Sequence, residues 1–134
     1  MIELLRRIGI IFVSAFVLNL VWENLHVFLY DNYKGGAITE LILLHATLVD
    51  ALIIVALSLP FIFISSLKKQ SWLIVILGTI IAIIIECWAL GTARWAYNVY
   101  MPIIPFLGTG LTPTIQLGLL GYLSFNIGEW KYAQ

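Results

Sequence analysis

Charge is scarce in this chain, and what there is does not cluster. Seven basic and seven acidic residues among 134 make up 10% of the sequence and leave a formal net charge of zero. A nucleic-acid surface needs grouped Lys and Arg, and an acidic tail needs a block of carboxylates, so no nucleic-acid partner is expected. Cysteine occurs once, at Cys87, which excludes an intrachain disulfide and a cysteine-built zinc or iron–sulfur site. Cys87 lies in an apolar run and is expected to be a small buried hydrophobe. No motif asks for a cofactor.

What is abundant is apolar. With 62% hydrophobic residues and a mean hydropathy of +1.04 the chain lies far outside the soluble range. It is expected to be an all-α integral membrane protein, one domain over 1–134, folded as a four-transmembrane-helix antiparallel up-down bundle with short loops. Spans are expected at about 8–30, 40–65, 72–97 and 111–127; at 1.5 Å per residue the first three cross a core of roughly 30 Å, and the last barely does. No small-x-small cleavage site follows the first, so it is read as an uncleaved helix. Asp31 to Thr39, with Lys34 and Gly35-Gly36, is expected to be a polar turn. Thr39, Ser71 and Thr112 are expected as N-caps, Pro113 at the first position of the last helix and Pro60 as a kink. Asn98 to Gly110 is an apolar loop that must rest on the bilayer interface or fold into the bundle. Arg6, Arg7, Lys68, Lys69 and Lys131 fall on one side and Lys34 and Arg94 on the other. The positive-inside rule then makes this a multi-pass cell-membrane protein with both termini cytoplasmic.

Ionisable groups interrupt these spans. A charge in hydrocarbon costs several kcal/mol unless paired or wetted, which makes function the default explanation for it. Glu23 and His26 in the first helix, His45 and Asp50 in the second, and Glu86 in the third are therefore the candidate catalytic residues. Counted at 1.5 Å per residue from the outer helix ends they lie within ~6 to ~15 Å of that surface, and Gln116 in the last helix lies at ~7 Å. Asn19, Glu23 and His26 follow i, i+4, i+7 and share one stripe; Glu86, Ala89, Ala93 and Tyr97 are expected to share another. His45 and Asp50 point ~140° apart, so both border one site only if the second helix is central or the site is wide. Asn19, Trp22, Trp95, Tyr97 and Gln116 are candidate substrate-binding residues, although Asn and Gln also serve as interhelical hydrogen-bond glue.

The chemistry these residues allow is general acid–base catalysis on a membrane lipid or isoprenoid, with Glu23 and Glu86 as acid and base, His26 and His45 as relays and Asp50 as a deeper counter-charge. The apolar segment Tyr100 to Leu107 would be a lid. Carboxylates in a small helical bundle resemble the membrane isomerases and cyclases of sterol and carotenoid metabolism. Trp95-Ala96-Tyr97-Asn98 followed by Pro113-Thr114-Ile115-Gln116 resembles the aromatic and the proline-plus-acid motifs of lycopene cyclase domains, with Ile115 and Gln116 standing where that family carries acids. A second hypothesis is a proton-coupled transporter, since four helices with a glutamate in the first resemble the small multidrug-resistance proteins. A third is a mononuclear metal site on Glu23, His26, His45 and Glu86, or a structural, lipid-binding protein; no metal is assigned. The Gly78/Ala82 and Ala89/Ala93 pairs offer small faces either for a homo-oligomer or for packing inside one bundle.

Overall fold

In the computed structural model, whose described residues are 1–132, five helices and a two-stranded ribbon follow one another along the chain. Their order is α1 (Ile2–His26), β1 (Tyr30–Tyr33), α2 (Glu40–Phe63), α3 (Ser65–Lys68), α4 (Leu73–Gly91), β2 (Trp95–Tyr97) and α5 (Leu111–Glu129). A 3₁₀ turn, Val27–Leu29, prolongs α1. α1 with this turn, α2 and α4 are each long and apolar enough to cross a membrane. α5 has 19 residues and is the most enclosed helix, burying Gln116, Leu117, Gly118, Leu120, Gly121 and Phe125 among others. Its glycines and polar side chains suit contact with neighbouring helices better than contact with lipid.

The expected third span, 72–97, stops early. α4 ends at Gly91, and Ala93 takes a left-handed conformation with φ 54. The amides of Arg94 and Ala93 donate back to the carbonyls of Ala89 and Leu90 at 2.8 and 3.2 Å. This is the Schellman closure, made with alanine where glycine is usual, so the sequence carries no marker of the helix end. α1, with 25 residues, is therefore the longest helix.

After the closure the chain turns extended. Tyr30 pairs with Tyr97 and Tyr33 with Trp95 in an antiparallel ribbon, which replaces the expected polar turn and helix end. Tyr and Trp favour such a pleated, half-buried surface. Lys34 and Gly35, with φ 50 and 75, sit at the centre of a tight turn closed by mutual Tyr33–Gly36 backbone bonds of 3.0 and 2.9 Å. Positive φ at both central residues is the type I′ geometry that matches strand twist.

At the other helix ends Thr39 caps α2 as expected, its hydroxyl accepting from the Ile42 amide at 3.3 Å. Ser71 and Thr112 do not cap; Trp72 and Gly110 occupy those positions without a side-chain bond. Pro113 is consequently the third residue of α5, still within the first turn, where a missing N–H leaves no helical bond unmade. α2 stops at Phe63, three residues beyond Pro60, and a break at Ile64 leads into α3.

α1 packs along α2 and α5, and α4 packs along α5, whereas α2 and α4 touch at few points. A Cβ at Gly78 would stand 2.6 Å from the Gly118 backbone, so α4 and α5 meet backbone to backbone. The Gly78/Ala82 stripe is thus used inside the bundle. Ile54 of α2 and Ile74 of α4 come together over Gly121 and close the core below this level. At the far end Glu129, 5% exposed, joins the Arg7 Nε at 2.7 Å and the Lys68 Nζ at 2.6 Å. Lys34 and Arg94 meet at the ribbon end, where the Lys34 amide donates to the Arg94 carbonyl at 2.7 Å. Cys87 is exposed rather than buried. Apart from Thr79 and Glu86 the helix α4 is apolar throughout, and Cys87, next to the buried Glu86, turns outward.

Candidate functional site

The i, i+4, i+7 stripe of α1 meets an i, i+4 stripe of α5. Asn19 donates its amide to the Ala15 carbonyl at 2.7 Å, which turns its oxygen toward α5. There it accepts from Gln116 Nε2 at 2.9 Å. The same nitrogen lies 2.8 Å from Glu23 Oε1 and 3.1 Å from Asp50 Oδ2. One side-chain amide, with two hydrogens for three acceptors, thereby ties α5 to α1 and α2. One turn away Thr112 Oγ1 stands 3.0 Å from His26 Nδ1, while His26 Nε2 faces Glu23 Oε2 at 3.4 Å.

Glu86 enters from α4 with 5% exposure. Its Oε2 accepts from Trp95 Nε1 at 3.2 Å and from the Tyr97 hydroxyl. Tyr97 is on β2 and not on α4 as expected; the chain reversal after Gly91 carries it back to the glutamate. Its hydroxyl also accepts from the Gly110 amide at 3.0 Å. Burial, followed by the bond to Glu86, holds the Tyr97 phenol well above its usual range.

Between these groups lies a cavity of about 700 Å³. Glu23, Asp50, Glu86 and Gln116 supply its polar floor, Ile42, Ile53, Ile85 and Leu117 its apolar walls, and Tyr30, Tyr33 and Trp95 of the ribbon its roof. Leu41, His45 and Val49 of α2 and Trp88 of α4 line it while remaining exposed, so it opens sideways between the two helices that barely touch.

Of the expected catalytic residues Glu23, His45, Asp50 and Glu86 border the cavity, His45 at its mouth. His45 and Asp50 both do so although α2 is not central, because the cavity runs along α2 from Leu41 to Ile53. His26 stands one layer behind, against Glu23. Trp95 and Gln116 line the space, whereas Asn19 and Tyr97 reach it only through Gln116 and Glu86. Trp22 lies edge-on to His26 at 6.2 Å between ring centres, and its indole N–H has no partner.

The loop expected as a lid lies elsewhere. None of Tyr100 to Leu107 lines the cavity, and Tyr100 and Phe106 are exposed. The Asn98 backbone and side chain bind the carbonyls of Leu29 and Phe28, pinning the loop beside α1. The ribbon is the cover instead. Tyr30, Tyr33, Arg94 and Thr112 were not singled out from the sequence as binding residues; the β-favouring aromatics around positions 30–33 and 95–97 were the available signal. Among the described residues no three His, Cys, Asp or Glu side chains converge as a metal site would require, since His26 and His45 face different surroundings.

Comparison with known proteins finds no matching family model, no significantly similar curated protein and no significantly similar solved structure.

Proposed function

We propose that this chain is a membrane enzyme that moves a proton onto and off an unsaturated lipid or isoprenoid, entering its cavity sideways from the bilayer between α2 and α4. The observation that carries this is the convergence of three carboxylates, from α1, α2 and α4, on one largely apolar cavity that opens along the helices. Binding carbon skeletons without polar groups needs only such walls, and the few fixed polar groups then decide where chemistry occurs. We take α5 as a fourth span and both termini as cytoplasmic, a topology supported by the Arg7–Glu129–Lys68 cluster at the end opposite the ribbon.

The roles follow from the surroundings. Glu23 Oε1 and Asp50 Oδ2 both lie against the Gln116 amide nitrogen, at 2.8 and 3.1 Å, which sets the two carboxylates side by side in the cavity. That pair is the proton donor to a carbon–carbon double bond. Glu86, across the cavity, takes a proton from a neighbouring carbon of the resulting cation, so the double bond shifts or a ring closes with no net change in atoms. Tyr97 and Trp95 hold the Glu86 carboxylate in place, and His26 orients Glu23. Between turnovers the proton on Glu86 returns to the pair through solvent.

The test is deuterium. Membranes containing the protein, incubated in heavy water with an extract of unsaturated membrane lipids, should place deuterium at carbon positions of one lipid class, read by mass spectrometry. Glu23→Gln and Glu86→Gln should each remove the label while leaving expression unchanged. Label that persists in both variants, or none above protein-free membranes with the parent, refutes the proposal; a transporter leaves no label on carbon.

A further inference from the structure

Lys34 and Arg94 are far apart in sequence, yet the ribbon brings them together as the only lysine and arginine at its end of the bundle, among the described residues. They line a shallow depression of about 540 Å³ with Trp88 and Thr92, and Arg94 also borders the large cavity. The Arg94 guanidinium stacks over Tyr33 and Trp88 at 5.6 and 5.3 Å from the ring centres, and Lys34 Nζ lies 5.5 Å from the Tyr33 ring. Aromatic faces hold a cation in place without neutralising it. No carboxylate does so here: the ion pairs among the described residues are Arg7–Glu129, Lys68–Glu129 and His26–Glu23. The backbone beside both cations is left-handed without glycine, at Lys34 and Ala93.

We infer that Lys34 and Arg94 bind the phosphate of an anionic amphiphile whose apolar chain lies in the cleft between α2 and α4. A guanidinium fork suits phosphate oxygens in pairs, and an ammonium adds a movable point charge. The depression lies just past the end of α4 at Gly91, which is headgroup depth for a helix that spans a bilayer, and Arg94 is the shared border of the depression and the large cavity. The assignment does not use the chemistry of Glu23 or Glu86.

Full-length protein in mixed micelles, examined by native mass spectrometry with dioleoyl phosphatidylglycerol and dioleoyl phosphatidylcholine in equal amounts, should retain the anionic lipid by roughly tenfold over the zwitterionic one. The doubly substituted Lys34→Gln, Arg94→Gln chain should lose that preference, and Arg94→Lys should keep part of it. Lys69→Gln, which removes an exposed cation at the opposite end of the bundle, should keep it fully; loss there would show that retention follows overall charge rather than this pair and overturn the assignment. Should the double variant fail to fold, raising salt to screen the parent gives the same answer, since the preference must shrink. Equal retention of the two lipids by the parent, or an unchanged preference in a folded double variant, refutes the proposal. Thermal stabilisation by inorganic phosphate as large as that by the lipid assigns the cations to a free ion and refutes the amphiphile.

Discussion

Gln116 offers the sharpest test of how the helices are joined. Replacing it by leucine keeps the bulk and removes the donor. Asn19 Oδ1, on a residue with no exposed surface, then loses the bond at 2.9 Å. Glu23 retains its contact with His26, and Asp50 borders the cavity, so each of these loses less. One fully buried acceptor left unpaired costs about 1–3 kcal/mol, and two weakened interhelical bonds add about 0.6 kcal/mol each, giving about 2–4 kcal/mol in all. For a chain of this size that corresponds to a fall in Tm of roughly 6–14 °C. Tryptophan fluorescence in detergent reads it directly, as the protein carries five tryptophans. The decisive comparison adds Asn19→Leu: with donor and acceptor both gone, the pair should be less damaging than the sum by about 1 kcal/mol. A single-variant loss below about 1 kcal/mol, or strict additivity, would show that the amide does not join α5 to α1 as described.

Three further outcomes can be measured on the same preparation. Ala93→Gly should raise stability by up to about 1 kcal/mol, because glycine takes the left-handed helix-closing position without its Cβ clash; a loss of stability would contradict the Schellman closure. Gly78→Ala should lower stability by about 1–3 kcal/mol, since the new methyl meets the Gly118 backbone, which cannot step aside; a neutral result would mean that α4 and α5 are not in backbone contact. The Tyr97 phenol is held above its usual value of 10.0 by burial and then by Glu86. The unfolded chain therefore gives up that proton first, and the stability present below pH 10 falls as pH rises further; Tyr97→Phe should remove part of the fall in alkaline melts.

The helices were legible in the sequence because long apolar runs with polar punctuation leave few alternatives, and Thr39 capped where its side chain said it would. The stripe of Asn19, Glu23 and His26 was legible too, helical periodicity being enough to set three side chains on one face. Gln116 was found by depth alone. What stayed hidden had no local signature. The end of α4 rests on an alanine in a conformation glycine would have announced, and without that end β2 could not be seen, nor Tyr97 be placed off the helix. The side of α4 that carries Cys87 was equally opaque, since lipid and protein interior ask for the same residues. The width of the site, which let His45 and Asp50 share it, depends on α2 standing apart from α4, and no single helix encodes that.

The sparse contact between α2 and α4 also sets which way the molecule yields. α4 is seated on α5 through glycines with no slack, whereas α2 is held mainly from the α1 side and is the less constrained wall of the cleft. An outward displacement of α2 would carry Asp50 away from Gln116 and from Glu23. The width of the cleft and the spacing of Asp50 from Glu23 are thus set by the placement of one and the same helix.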